Sequence, residues 1–497
     1  MLEPLWDTHA VAATPDVLDS ADAGARFLRG GALRVVAFGS AVVCSIAAIP
    51  LVTRHLGAPA YGRLATVAGL MLIAAVITEG GVGTVGIREY SNLAGEPRRR
   101  FMSSLLGLRV ALSLTGALAA IGFALIAGYP RVEVEGTAIA AVGLVLMNIQ
   151  ATVSIPLVTE LRLGWVAALD LIGPATTAIT LVVLVVLGAP LLPFFAAPLV
   201  AYAVSLALTA ALVRGDIPLR PSFAPERWRV LLRSTILFAA ATALGTVYFR
   251  VVLVAMSLLT PDTAAGHTTV GVFGLAFRSL DVLSNLPWLL VTSAWPILVR
   301  AARDDTPRLR YALNRLIEGN LLLGGWISLL LVSGGPFAAQ VLGGPKYPGA
   351  GEVMRILGAG IGATFLVALF TFAMLSQQMY RRLIAINATI LALSILLCVL
   401  VIPGHGARGG AIVTVSLEVT LACTYAITLF VSHPEMRPEL GRTVRIVLAL
   451  AIAFAVALAV PVSSLLSAVI GTAVLAAGVA VLRATPPELL EALHPRR

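Results

Sequence analysis

Residues 383–402 read LIAINATILALSILLCVLVI, twenty positions without a charge, set between Arg381-Arg382 and Pro403-Gly404-His405-Gly406. A hydrocarbon core needs roughly 20 apolar residues of helix, so this stretch has the length and composition of one membrane span. The same pattern recurs along the whole chain. Runs at 33–52, 63–84, 102–127, 137–159, 165–188, 191–213, 231–259, 270–298, 318–341, 352–375, 408–431, 444–461 and 464–482 bring the expected total to fourteen. The weakest separations are Gly188-Ala189-Pro190 and Pro461-Val462-Ser463. Long continuous runs exclude a transmembrane β-barrel, whose strands are about ten alternating residues.

Composition agrees. Of 497 residues, 59% are apolar and 12% charged, against about 25% charged in soluble domains, and the mean hydropathy is +0.95. A water-soluble globular protein is excluded. The net charge of +10 comes from 35 basic and 25 acidic residues, and its distribution along the chain explains it. With both termini inside, 26 basic residues fall on the inner side, six on the outer side, and Arg109, Arg250 and Arg278 within spans. Cytoplasmic loops attract arginine in this way. The charge is therefore topological, and no nucleic-acid partner is expected.

The first thirty residues hold Glu3, Asp7, Asp16, Asp19 and Asp22 and lack a basic segment followed by an apolar run. They read as a disordered cytoplasmic tail without a cleavable signal. Cys44, Cys398 and Cys423 each lie in an apolar run without neighbouring ligand residues, so neither disulfide nor metal chemistry is expected. No loop carries a phosphate-binding glycine motif, a nucleophile set or an Asp-x-Asp pair. These readings point away from an enzyme, and they make a membrane glycosyltransferase or polymerase the poorest alternative.

Two stretches read alike, His55–Gly62 before the second span and Thr269–Gly274 before the eighth, each with an aromatic-glycine pair (Tyr61-Gly62, Phe273-Gly274), six spans apart. Such spacing suggests two parallel six-helix halves with two further helices at the end. Thr53-Arg54-His55-Leu56-Gly57-x-x-x-Tyr61-Gly62, Glu79-Gly80-Gly81-Val82-Gly83 with Ile87-Arg88-Glu89, Tyr248-Phe249-Arg250, the 270–278 stretch and Ile402-Pro403-Gly404-His405-Gly406 carry a resemblance along nearly the whole chain. The sequence resembles the bacterial polysaccharide-unit flippases of the Wzx type, in the superfamily that also holds lipid II flippases and multidrug exporters. Relatives usually carry Asp where Glu79 stands, and another Asp two residues beyond the seventh-span arginine, where this chain has Val252.

The resemblance implies an all-α polytopic membrane protein with two six-helix lobes around a central cavity. On the residue ranges read here, the lobes are 31–213 and 231–432, joined by a 214–230 cytoplasmic linker, with two additional helices and a tail in 433–497. It implies transport of a polyprenyl-diphosphate-linked oligosaccharide from the inner to the outer leaflet of the bacterial cell membrane by alternating access. Partners would be the lipid-linked oligosaccharide, the bilayer and, further on, a polysaccharide polymerase and glycosyltransferases. A multidrug exporter or lipid II flippase of the same superfamily is the alternative. A multidrug exporter would need an acidic or aromatic cavity for cationic drugs, whereas cavity arginines favour an anionic substrate.

Ionisable residues inside spans are expensive and become functional candidates unless a partner or the interface explains them. Arg250 and Arg278 lie roughly ten residues into consecutive helices, counted outward from the loop at 260–269. Arginine's planar fork suits a diphosphate. The structural alternative is that Arg278 pairs with Asp281 at i,i+3 and Arg250 snorkels outward. Arg88 and Arg109 lie nearer the cytoplasmic face as further substrate candidates, with snorkelling the simpler reading for Arg109. Glu79, Glu418 and Asp170 are candidates for coupling to H⁺ or Na⁺; the alternative is an ion pair or a helix cap. No other cofactor is expected. Trp288 and Trp295 read as interface markers more readily than as sugar-stacking residues.

Overall fold

The computed structural model describes residues 23–215, 220–287, 306–482 and 484, and these form helices without a strand. In chain order they are α1 (Ala23–Glu79), α2 (Val82–Asn92), α3 (Gly95–Ile126), α4 (Arg131–Val153), α5 (Ile155–Thr159), α6 (Leu163–Val186), α7 (Leu191–Phe194), α8 (Ala197–Leu212) and α9 (Pro225–Leu259). Then follow α10 (Ala264–Leu283), α11 (Thr306–Leu342), α12 (Ala350–Ser376), α13 (Tyr380–Ser432), α14 (Leu440–Ala459) and α15 (Ser464–Val481).

Among the described residues, eleven helical stretches, taken across short breaks, are long and apolar enough to cross a membrane. Two of them, 39–92 and 380–432, each contain two of the runs read from the sequence. Each is interrupted by a glycine outside helical geometry, Gly57 at φ 71° and Gly406 at φ 52°. Left-handed or otherwise strained backbone is where glycine costs least. Hydropathy shows where apolar residues end; it does not show whether the backbone continues as a kinked helix or opens into a loop. The second run also stops early: α1 ends at Glu79, because Gly80 and Gly81 both have positive φ. Pro156 sits in the first turn of the short α5, after a break at Ser154, and Pro174 lies inside α6. The eighth run lies partly outside the described residues, as do residues 1–22 of the expected tail, whereas 23–30 are already helical.

The chain forms two compact units: residues 1–56 with 67–250, and residues 57–66 with 251–497. The division falls inside α9, not in the 214–230 segment. One reason is that the stretch before and into α9 is tied to α3. Ser222 N–H donates to Ser103 O at 2.8 Å and Trp228 Nε1–H donates to Ser104 O at 3.0 Å. At Gly107 a Cβ would stand 2.2 Å from Ser222 O, so α3 must be bare there for the chain to lie against it. The first unit's core gathers Tyr90 of α2, Phe101, Met102 and Leu105 of α3, and Ile155 of α5.

In the second unit α14 and α15 pack on α11 through Leu329, Ala449, Ala453 and Leu475. A polar clamp accompanies this apolar contact. Buried Glu318 of α11 accepts from Arg315 at 2.7 Å and from Arg442 of α14 at 3.4 Å, and Asn314 Oδ1 accepts the Glu439 N–H at 3.1 Å. The last two helices therefore belong to the body of this unit.

The two aromatic-glycine stretches meet in this same unit. A Cβ on Gly62 would lie 2.5 Å from His267 O, and one on Gly271 would lie 1.9 Å from Ala58 O. Gly274 faces Ala65 at 2.8 Å on the same measure. Small residues let membrane helices approach backbone to backbone, and here they form a seam between 57–66 and α10.

Candidate functional site

In the first unit the α1 terminus is built into a polar network. A helix leaves its last four carbonyls without intrahelical partners, and Arg109, projecting from α3, supplies donors. Its Nη1 donates to Thr78 O at 3.2 Å and to Glu79 O at 3.1 Å, and its Nε donates to Thr152 Oγ1 at 3.1 Å. Its Nη2 pairs with Glu79 Oε2 at 2.7 Å. A cation at a helix C-terminus also meets the negative end of the dipole. Asn148 Nδ2 donates to Thr78 Oγ1 at 3.1 Å and joins α4 to the cluster.

Glu79 faces both ways. Its Oε1 accepts the Gly83 N–H at 3.1 Å, which clips the start of α2 to the end of α1 across Gly80-Gly81. A Cβ at Gly83 would stand 2.7 Å from that oxygen, so a larger residue there would displace the Glu79 carboxylate from this position. The Arg109 side chain is 1% exposed and the Glu79 side chain 45%. The snorkelling expected for Arg109 does not occur; the guanidinium turns inward to the α1 terminus, which offers it three acceptors, with Thr152 of α4 as the fourth. Glu79 correspondingly has an adjacent base. Sequence distance hid the pair, since thirty residues separate its members.

Arg88, on α2, is exposed and pairs with its neighbour Glu89 at 2.8 Å. Arg250 closes the first unit's share of α9, with its guanidinium 5.4 Å from the Phe249 ring centroid. Asp170 is exposed on α6.

In the second unit Arg278 takes the i,i+3 partner that its spacing offers: its Nη1 lies 3.2 Å from Asp281 Oδ2. Asp281 is buried, whereas the Arg278 side chain remains 44% exposed. A guanidinium has five N–H donors, so a bond to Asp281 leaves donors to present elsewhere. Glu418 is buried in α13, one element with Tyr425, whose hydroxyl donates to Asn387 Oδ1 at 2.6 Å. The structure thus brings Glu79 together with Arg109 and Arg278 with Asp281. Sequence reasoning misses Glu318, because the apolar run starts at that residue, while α11 begins twelve residues earlier at Thr306. Trp288 and Trp295 lie outside the described residues.

Residues 28–302 match the model of the polysaccharide biosynthesis protein family. The chain belongs to that family. No curated protein matches the sequence. Its fold is similar to lipid II flippase MurJ in an inward closed conformation, with TM-score 0.70 at 14% identity over 90% of this chain and 98% of that one. It is also similar to an inward-facing multidrug resistance MATE family transporter of the MOP superfamily, with TM-score 0.65 at 12% identity over 81% and 98% of the two chains. A Vibrio cholerae MATE transporter matches at TM-score 0.53 and 12% identity over 83% and 98%. The family member described here is a multi-pass membrane protein with this transporter fold.

Proposed function

We propose that the protein flips a polyprenyl-diphosphate-linked oligosaccharide from the inner to the outer leaflet of a bacterial inner membrane, by alternating access, for surface polysaccharide assembly. Membership of the polysaccharide biosynthesis family over residues 28–302 carries this reading. The arginines placed within spans support an anionic substrate over a cationic drug. In this reading Arg250 and Arg278 engage the diphosphate, and Arg88 meets it on entry. Arg109 serves the site indirectly, by holding Glu79. Glu79 and Glu418 exchange H⁺ or Na⁺ during the cycle, and Asp170 is the weaker third candidate. The product would pass to a polymerase, and glycosyltransferases would supply the substrate.

The arginine test uses proteoliposomes and a polyprenyl-diphosphate oligosaccharide. Losing one charge-assisted phosphate contact costs about 1.5–3 kcal/mol, or roughly 10- to 150-fold in affinity. Alanine at Arg250 or Arg278 is expected to weaken substrate binding by that factor without preventing membrane insertion. Asp281→Ala would match Arg278→Ala only if their pair is purely structural. Wild-type binding and flipping by a folded double alanine variant would reject the diphosphate role. Preference for lipid II over an oligosaccharide lipid would move the protein to the lipid II branch.

The orientation has its own test. With both termini cytoplasmic, an impermeant thiol reagent applied to intact cells should label Thr263→Cys and spare Thr306→Cys, in a background lacking the native cysteines. The opposite pattern would invert the topology.

A further inference from the structure

In the second unit, a cavity of about 280 Å³ opens between Pro59, Ala60 and Arg63 on one side and Asp262, Ala264 and His267 on the other. The backbone contacts of Gly62 with His267 and of Gly271 with Ala58 lie next to it and keep its two walls in register. At the start of α10, Thr263 Oγ1 accepts the Gly266 N–H at 3.1 Å and Thr263 O accepts the His267 N–H at 2.9 Å. The cavity wall also carries ionisable side chains, Arg63, Asp262 and His267. Arg63 supplies a permanent cation. His267 Nε2–H donates to Asp262 Oδ1 at 2.7 Å, which fixes the carboxylate while leaving it 72% exposed.

This combination has a chemical meaning. A guanidinium recognises a carboxylate through its planar fork. A fixed aspartate accepts from hydroxyl groups, and the small apolar faces of Pro59, Ala60 and Ala264 suit the C–H face of a ring. The volume sits just below the range of roughly 300–1,000 Å³ found for small-molecule pockets, so it holds one ring and not an oligosaccharide. We propose that this cavity is a subsite for a single acidic sugar residue, with Arg63 pairing the sugar carboxylate and Asp262, oriented by His267, accepting from ring hydroxyls. The assignment rests on the reading that the cargo carries a glycan. In the orientation inferred above, segment 260–269 faces the outer side, where the glycan is delivered.

Saturation-transfer NMR on the purified full chain in detergent tests the subsite directly, with methyl β-D-glucuronide, methyl β-D-glucoside and inorganic phosphate as probes. The glucuronide is expected to bind in preference to the glucoside. Arg63→Ala should lower its affinity about tenfold, the loss of one charged hydrogen bond, and Arg63→Lys should retain part of it. Arg131→Ala, which removes an exposed cation of the first unit, should change nothing. Equal binding of the glucoside, displacement of the glucuronide by phosphate at equal concentration, or unchanged binding in folded Arg63→Ala would overturn the assignment. Glucuronide binding without flipping of the lipid-linked oligosaccharide would sink the transport reading and leave the subsite standing, so the two failures are distinguishable.

Discussion

Glu79→Ala is expected to lower thermal stability in detergent more than Arg109→Ala does, although the two residues form one ion pair at 2.7 Å. The asymmetry comes from burial. Removing the carboxylate leaves a guanidinium that is 1% exposed with only neutral acceptors, and stranding one partner of a buried pair costs about 3–5 kcal/mol. Removing Arg109 instead leaves a half-exposed carboxylate that water can hydrate. The loss is then that of the bonds to Thr78 O, Glu79 O and Thr152, about 1–3 kcal/mol. A Glu79→Gln, Arg109→Met double variant buries no unmatched charge and should be more stable than Glu79→Ala alone. Unfolding free energies of Glu79→Ala, Arg109→Ala and the variant carrying both alanines, read as a double-mutant cycle, should give a coupling of about 0.5–3 kcal/mol. A Glu79→Ala protein as stable as wild type would show that the pair contributes nothing to the fold.

The same carboxylate links stability to the proposed transport cycle. Glu79 holds Arg109 with one oxygen and the Gly83 N–H with the other, so a change in its charge acts on both the α1 terminus and the first turn of α2. If it exchanges an ion, Glu79→Gln should lose the response of reconstituted flipping to an imposed pH or Na⁺ gradient, and Glu418→Gln serves as the parallel test. Both variants keeping the full response would remove these carboxylates from coupling.

Gly271→Ala should be severely destabilising, which is unusual for a change that elsewhere in a helix is favourable by up to about 1 kcal/mol. Its Cβ would fall 1.9 Å from Ala58 O and 2.7 Å from Ala58 C, both backbone atoms that cannot rotate away. The seam between 57–66 and α10 would have to open by about 1 Å. Overpacking costs typically 1–3 kcal/mol, and a backbone clash belongs at the upper end. Gly274→Ala meets side-chain atoms, with the Ala65 methyl nearest at 2.8 Å, and should be milder. Gly122→Ala in α3 has nothing within 4 Å and should be neutral or stabilising. Unfolding midpoints for the three variants check the order, and a wild-type midpoint for Gly271→Ala would show that the seam is not closely packed.

Hydropathy and arginine placement, read along the chain, determined the class of this protein. The membrane runs, their helical nature and the side on which charge accumulates all depend on local composition, because a bilayer acts on each segment through its own transfer energy. The i,i+3 pairing of Arg278 with Asp281 was legible for the same reason: helix periodicity alone sets it. Tertiary structure decided everything that joins distant segments. The sequence around Arg109 points it toward the interface, since nothing within one turn of it shows that the α1 terminus lies alongside. Glu318 was invisible as a clamp because Arg442 lies 124 positions away. The repeated aromatic-glycine pairs were visible as repeats, but their mutual packing was not. A single sequence records what each glycine lacks, a Cβ, and only the folded chain shows whose backbone fills the space.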